Sequence, residues 1–489
     1  MPLRAGRPRS QGKNSMSRSS QFNPGSPLGT KGITMHVTSG PSHSRIEYRR
    51  WMNASGGVGR RLCGSGTWVV VLAGFLGLGA LGTAEGADLR VSTDFEGGSA
   101  RVESIDQAGR VVRFVPGGDP ARGWPCWWSL RVEGVTKGER LTLDLGASPL
   151  PTRNQGVATN KPLASSWAMP GQASFSTDDG HTWEPTGKGE RAGDRIRYQV
   201  VAEGDSIRVA WGPSFTPKDT DNLIAKATEA LPWARGFELA RTRESRPVRG
   251  LHVVKAEGAK SKLSGVWIQA RQHAWESGAS WVARGLVEWL VSDDADALWL
   301  REHAELFVVP IMDVDNVATG NGGKEADPRD HNRDWDEKPV YPEVAAAQRR
   351  LRTLADEGRL DLFLDLHNPA PGDARPFFFV GPTELLTEAR QSLRAHFLEA
   401  AKQRINGPLV LADTPRVTGP SYHPLWRQIS GQWVVDHGSP QTVAVCLETA
   451  WNTPRSTTEG YRTVGRQLGL AIVDHLRNRD RSPSQPPRR

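Results

Sequence analysis

The stretch GVWIQARQHAWESGASW, residues 265–281, contains the transition that decides the fold. Its first part, GVWIQA, is an unbroken apolar run typical of a strand buried on both faces of a sheet. A helical pattern, WVARGLVEWLV, begins where the stretch ends. A strand followed at once by a helix predicts a layered α/β domain. His273 and Glu276 lie three residues apart in the connection between the two elements.

The same alternation continues through residues 219–478. Strand-like runs such as LFVVPIM, LDLFLDL and TVAVCLE alternate with helical patterns such as PEVAAAQRRLRTLADEG and TELLTEARQSLRAHFLEAAKQR. Continuous runs of Val, Ile, Leu and Phe indicate strands that are covered on both faces. We therefore expect an α/β domain over residues 219–478, built on a mixed sheet flanked by helices.

Residues 88–218 have a different pattern. Short alternating runs such as RVVRFV, RLTLDLG and RIRYQVVAEG are separated by turn signals such as PGGDP and TDDG. Strands of this length at regular spacing, without a long helical stretch, are typical of a β-sandwich. The sequence therefore predicts an N-terminal β-sandwich domain ahead of the α/β domain.

Two segments precede these domains and one short segment follows them. Residues 1–59 are rich in Ser, Gly, Pro and Arg and lack periodicity, which predicts a disordered or untranslated leader. Residues 60–87 combine two arginines, an apolar stretch over 68–82 and small residues after it, which is typical of a secretory signal peptide. The alternative is a signal anchor that stays in the membrane. Residues 479–489 predict a disordered tail.

The formal net charge of the 489-residue chain is +8, but the basic residues are concentrated in the leader. Residues 1–61 hold eleven Lys or Arg and one acidic residue, so the remainder is close to neutral. This excludes nucleic-acid binding through a basic folded surface. We expect an exported protein, periplasmic or extracellular, whose only membrane contact would be the anchor alternative.

Polar side chains follow several of the predicted strands. His273 and Glu276 follow GVWIQA, His367 follows LDLFLDL, and Glu448 follows TVAVCL. Ligand sites in α/β sheets gather at the carboxyl ends of the strands. Two His and one Glu are an established ligand set for catalytic zinc. A further carboxylate such as Glu448 would then transfer protons.

Each of these residues alone has an ordinary structural explanation. The pair His273 and Glu276 also fits a solvated helix start, where Glu is favoured near the N-terminus. His367 fits a hydrogen-bonded core histidine, and Glu448 fits a buried salt bridge. It is their common position at strand ends that favours a metal site.

The order of the motifs gives a resemblance to a known family. HAWE, then DHNR, then DLH and finally CLE follow one another as in the zinc carboxypeptidases, also called funnelins. The stretch QARQHAWESGASW, the loop GNGGKEADPRDHNRDW and the β-rich region ahead of them are similar to the cytosolic-carboxypeptidase branch and its bacterial relatives. The resemblance covers roughly residues 90–475, and it implies that residues 219–478 form the catalytic domain.

The resemblance implies roles for the residues at the strand ends. His273, Glu276 and His367 would bind one Zn²⁺ per chain, and Glu448 would act as general base and acid. Asp330 would hydrogen-bond the first ligand histidine, and such a partner fixes the ring tautomer.

It also implies how a substrate is held. Asn332 and Arg333 match the pair that binds the terminal carboxylate of the substrate. Lys324 and Arg329, in the same loop, are the candidates for the oxyanion-stabilising cation, and we favour Lys324. The family's capping Tyr has no counterpart at the usual interval before Glu448, which leaves Tyr422 as the candidate.

We therefore predict a zinc metallocarboxypeptidase that hydrolyses the C-terminal bond of a peptide or protein by attack of a zinc-bound water, with Glu448 as general base. One alternative is a zinc amidase or deacylase acting on N-acyl amino acids or cell-wall peptides. Another is an inactive envelope-binding protein.

Overall fold

The computed structural model describes residues 87–255 and 263–479. The predicted leader lies outside the described residues, and so do nearly all of the predicted signal peptide or anchor and of the predicted tail. Within the described part, none of the helices combines the length and the apolarity that crossing a membrane would require.

The N-terminal region is built from twelve short strands. They form two five-stranded sheets, in the orders β1-β4-β12-β8-β9 and β10-β11-β5-β3-β2, and a separate hairpin of β6 and β7. Their bounds are β1 Arg90–Ser92, β2 Arg101–Asp106, β3 Val111–Val115, β4 Ser129–Glu133, β5 Arg140–Gly146, β6 Pro151–Asn154, β7 Val157–Pro162, β8 Ser174–Ser176, β9 Glu184–Pro185, β10 Glu190–Ala192, β11 Arg195–Val201 and β12 Ser206–Ala210.

Aromatic side chains join the two five-stranded sheets. Trp128, beside β4, lies with its ring centroid 5.2 Å from that of Phe114 on β3 and 6.1 Å from that of Tyr198 on β11. All three side chains are fully buried. Because residues of both sheets meet at one tryptophan, the two sheets share a core, as in sheets that pack face to face.

The C-terminal region is an eight-stranded mixed sheet in the order β13-β14-β16-β15-β17-β20-β18-β19. Its centre is parallel, since β15 pairs in parallel with β16 and β17, and β17 pairs in parallel with β20. The strand bounds are β13 Ala234–Arg241, β14 Pro247–Val253, β15 Ser264–Ala270, β16 Ala304–Val309, β17 Leu360–His367, β18 Phe377–Val380, β19 Arg416–Val417 and β20 Val443–Glu448.

Two groups of helices cover this sheet. One group, α2, α3, α6 and α8, packs together, while α5 and α7 pack against each other and against β17. Every residue of β16 and β17 is buried as a result. The helix bounds are α1 Pro217–Ala230, α2 Ser277–Leu290, α3 Ala295–His303, α4 Val314–Ala318, α5 Pro342–Asp356, α6 Glu388–Arg404, α7 Ser430–His437 and α8 Thr458–Arg479.

The predicted fold class is confirmed: a mixed α/β sheet flanked by helices follows an N-terminal β-rich region. The proposed domain limits at 88, 218 and 478 stay predictions. Cys126 and Cys446, the two cysteines in the described residues, are both free thiols.

Candidate metal centre and active site

A tight connection after β15 carries His273 and Glu276. It begins at Arg271, whose φ of +64° turns the chain sharply. The Arg271 guanidinium is buried and donates from Nε to the Ala274 carbonyl at 2.8 Å. This bond holds the turn, so that both polar side chains lie at the carboxyl end of the sheet, just before α2 begins at Ser277.

His367 and Glu448 reach the same edge from neighbouring strands. They are the last residues of β17 and β20, and they are direct partners in the parallel register. Residues paired in this way lie side by side on one face. His367 and Glu448 are therefore neighbours because β17 and β20 end at the same position in the register.

The side chains of His273, Glu276 and His367 converge on one point. Nδ1 of His273 lies 2.9 Å from Oε1 of Glu276, and Nδ1 of His367 lies 2.7 Å from Oε2. One ligand atom from each residue lies within 4.8 Å of the other two. All three residues are buried. Two imidazole nitrogens and a carboxylate that face one another in this way fit the donor set of a catalytic zinc site.

The electrostatics of this cluster also suit a cation. Burial opposes charge on Glu276, but His273 and His367 outweigh it and lower the pKa of Glu276 to about 2. Burial likewise opposes charge on His367, yet Asp365 and Glu276 raise its pKa well above the usual range. The cluster thus stabilises positive charge at its centre, where a bound metal would supply it.

Each histidine has a carboxylate behind it. Nε2 of His273 lies 3.1 Å from Oδ1 of Asp330, the partner that the sequence predicted. Nε2 of His367 lies 3.1 Å from Oδ2 of Asp365, which the sequence analysis missed. Asp365 is fully buried and also accepts from Gln272 and Ser430. Such partners fix the tautomer and orientation of a ligand histidine.

Glu448 lies beside the ligand cluster. Its Oε2 is buried and has no hydrogen-bond partner among the described residues. Burial, reinforced by the charge of Glu276 and opposed by His367, raises the pKa of Glu448 to about 7. A carboxyl group with such a pKa exchanges protons readily near neutral pH. The salt bridge considered above for Glu448 is not formed within the described residues.

The loop before α5 brings three further predicted residues to the site. Lys324 lies 4.0 Å from Oδ2 of Asp330. Asn332 places Nδ2 3.3 Å from Nε2 of His367. Arg333 stacks over Tyr422, with its guanidinium carbon 6.0 Å from the ring centroid. Its buried Nε has no hydrogen-bond partner among the described residues, so this cation keeps capacity for an anionic ligand.

Arg329 lies elsewhere. It is held by Asp334 at 3.1 Å and Asp336 at 2.6 Å, and it is not among the residues that line the cavity. Both of its partners are within seven positions along the chain, and their charges neutralise the guanidinium. Lys324 is therefore the better placed of the two candidate cations.

A cavity of about 250 Å³ connects these groups. One wall is formed by the sheet: Phe377 pairs with Glu448 across β18 and β20, and Phe379 pairs with Cys446 one step deeper. Tyr422, which is 41% exposed, closes this side with its ring 5.0 Å from that of Phe379. The other residues that line the cavity are Trp167, His273, Trp275, Glu276, Lys324, Asn332, Arg333, His367, Asn368, Pro369, Ala370, Asp373, Arg416, Thr418 and Ile429.

Comparison with known proteins points to one family. Residues 223–367 match the family model described as zinc carboxypeptidase. The chain is 31% identical over 109 residues to cytosolic carboxypeptidase 3 of Mus musculus, and the matched segment makes up 22% of this chain and 11% of that protein. It is 35% identical over 105 residues to cytosolic carboxypeptidase 1 of Homo sapiens, covering 21% and 9%. The chain thus matches only about a tenth of the length of these curated relatives.

A solved structure extends the likeness over both regions of the chain. The metallo-carboxypeptidase of Burkholderia cenocepacia superposes with a TM-score of 0.64 at 25% sequence identity. The superposition covers 80% of this chain and 99% of that one. The N-terminal β-rich region is therefore part of the shared architecture.

Proposed function

We propose, on the premise that this chain carries a zinc carboxypeptidase domain, that it is a metallocarboxypeptidase that removes the C-terminal residue of a peptide substrate. The observation that carries the proposal is the convergence of His273, Glu276 and His367, with ligand atoms within 4.8 Å of one another, beside the buried carboxyl group of Glu448. The match over residues 223–367 supports the same reading.

The three converging side chains would hold the metal. Zinc, when bound, polarises a carbonyl group and lowers the pKa of water toward neutrality. Asp330 and Asp365 orient the two imidazole rings from behind. The protein's part at this point is to keep one carboxylate and two imidazole nitrogens in fixed positions.

Glu448 moves the proton. Its carboxylate accepts a proton from the attacking water and delivers it to the leaving amine as the peptide bond breaks. Its pKa, raised to about 7, suits both steps, because near neutral pH the carboxyl group can both accept a proton and donate one.

Three other side chains position the substrate. The Arg333 guanidinium binds the terminal carboxylate, because a planar fork of donors matches two carboxylate oxygens. Asn332 adds an amide donor beside His367. Lys324 supplies positive charge for the oxyanion that develops on the scissile carbonyl.

Substitution of Glu448 by Gln tests the proposal. We expect the Glu448→Gln protein to bind one zinc per chain, as measured by metal analysis, and to lose hydrolysis of a peptide library by at least about 100-fold. The Glu459→Gln protein, altered at a residue whose side chain is 75% exposed, is the control. Retained hydrolysis in the Glu448→Gln protein would remove this residue from the mechanism.

The same library separates the predicted alternatives. It should contain N-acyl amino acids beside free peptides of the same terminal residue. Faster hydrolysis of the N-acyl amino acids would favour the deacylase alternative. Release of internal fragments instead of terminal residues would contradict a carboxypeptidase.

A further inference from the structure

The N-terminal β-rich region contributes a side chain to the cavity. Trp167 lies in the short turn Ser165–Trp167 after β7, far from the metal ligands in sequence, and it lines the same cavity as His273 and Glu448. It is half-buried, so that part of its ring remains available to a ligand. None of the roles discussed above uses it.

The position of Trp167 is fixed on several sides. Its ring lies edge-on to that of Trp275 at 5.6 Å and to that of Trp124 at 4.9 Å. Its carbonyl oxygen accepts a hydrogen bond from Nε1 of Trp211 at 2.8 Å. An aromatic ring held in this way can bind an apolar group with little loss of conformational entropy.

The cavity has two unlike sides. On the sheet side, Arg333 stacks over Tyr422, and Phe379 and Cys446 form a deeper row. Trp167 instead packs on Trp275, and Trp275 is in the segment that carries His273 and Glu276. Trp167 thus borders the segment that carries two of the metal ligands, whereas Arg333 lies against Tyr422.

A peptide bound by its terminal carboxylate must cross this cavity in one direction. In the proposed function Arg333 binds its carboxylate and the scissile carbonyl lies at the metal ligands, so the penultimate side chain lies beyond those ligands. We infer that the Trp167 ring binds the side chain of the penultimate residue, and that it favours peptides whose penultimate residue is aromatic or large and apolar. This inference rests on the proposed function.

Substitution of Trp167 by Ala, tested on two pairs of peptides, distinguishes this role. In one pair the penultimate residue is Phe or Gly and the terminal residue is constant. In the other the terminal residue varies and the penultimate residue is Gly. We expect the Trp167→Ala enzyme to lose about tenfold in kcat/KM for the Phe peptide and less than about threefold for the Gly peptides. The Trp167→Phe enzyme should keep most of the preference.

Binding gives a second measurement that does not need turnover. In the zinc-loaded Glu448→Gln protein, the Trp167→Ala change should raise the Kd of the Phe peptide by about tenfold, as measured by calorimetry. The Kd of the Gly peptide should not change. Trp299→Ala, which alters a half-buried tryptophan on α3 outside the cavity, is the control for loss of an aromatic side chain.

The outcomes are distinct. Equal losses for Phe and Gly peptides, or losses that follow the terminal residue, would overturn the role of Trp167 while leaving the proposed function intact. Lack of hydrolysis of every peptide by the wild-type protein would contradict the proposed function. The binding comparison would still decide whether Trp167 selects the penultimate side chain. If the Trp167→Ala protein fails to fold, retained preference in Trp167→Gln would overturn the inference.

Discussion

Asp365 supports His367 in the way that Asp330 supports His273. Each carboxylate lies 3.1 Å from the Nε2 atom that points away from the ligand cluster. Asp365 is two residues before His367 on β17, and side chains two apart in a strand point to the same face. A strand that supplies both a ligand and its supporting carboxylate needs no loop to align them.

We expect Asp365→Asn to weaken zinc binding by about 10- to 100-fold, because an amide supports the imidazole ring less well than a carboxylate does. A competition titration against a chelating dye measures this without enzymatic activity. Asp361→Asn is a matched control, since Asp361 is on the same strand and is bound by Arg479. Unchanged zinc affinity in Asp365→Asn would show that the carboxylate does not orient the ring.

Sequence reasoning located some of these residues and missed others for physical reasons. His273, Glu276 and His367 were found because polar residues at the ends of apolar runs are conspicuous. Asp365 was missed because it lies inside the run LDLFLDL, where only the pairing of strands reveals its partner. Trp167 was missed because its contribution depends on how the two regions of the chain pack.

At the scale of elements, the long helices α6 and α8 pack around an unusual histidine. His475 on α8 is buried, and its Nδ1 has no hydrogen-bond partner among the described residues. Its ring lies 5.6 Å from that of Phe397 and 5.7 Å from that of His396, both on α6. Burial, assisted by the positive groups His396 and Arg479, lowers the pKa of His475 to about 3.

This packing predicts a loss of stability in acid. In the unfolded chain His475 has a pKa of about 6.5 and binds a proton below that pH. In the folded protein the same side chain stays neutral down to about pH 3. The free energy of unfolding should therefore fall by up to roughly 1.4 kcal/mol for each pH unit below about 6.5. Urea titrations of wild type and His475→Leu at pH 7 to about 4.5 measure the difference.

The His475→Leu protein should lose less stability on acidification than the wild type, because it lacks the group that protonates on unfolding. His303→Leu, at an exposed position on α3, is the control and should follow the wild-type curve. Parallel curves for wild type and His475→Leu would contradict the prediction.

The elements themselves were largely predictable, whereas their assembly was not. The runs that predicted β15, β16, β17 and β20 are strands in the structure, because each is too apolar to lie anywhere but the centre of a covered sheet. The order β15-β17-β20, which brings His367 beside Glu448, depends on pairings between distant segments that periodicity does not encode.

At the scale of the whole molecule, the β-rich region takes part in building the site. Two loops are in close backbone contact at Gly123 and Gly323, which both have positive φ. A Cβ on Gly123 would clash with the Gly323 backbone. Gly156 N, in the β6–β7 hairpin, donates to the Glu325 carboxylate at 2.7 Å. Glu325 N in turn donates to Asp330 at 2.9 Å. The hairpin thus connects, through two hydrogen bonds, to the carboxylate behind His273.

A tryptophan cluster makes the same connection through packing. The Trp211 ring, next to β12, lies 5.2 Å from that of Trp275 and 4.2 Å from that of Trp451. Trp275 lies between the two ligands His273 and Glu276 in sequence, and Trp451 follows β20, the strand that ends in Glu448. All three tryptophans are buried. One side chain of the β-rich region therefore packs against both segments that carry the site.

From this packing we expect the two regions to unfold together, because neither can expose the tryptophan cluster without disturbing the other. Calorimetry should give one cooperative transition for the wild type. Trp211→Ala should lower the free energy of unfolding by about 3 to 5 kcal/mol, still in one transition, because it opens a cavity between the regions. Zinc affinity should fall as well, since Trp275 would lose its support. Two separate transitions, with only the one from the β-rich region shifted by Trp211→Ala, would show that the regions are independent and that the metal centre needs no partner.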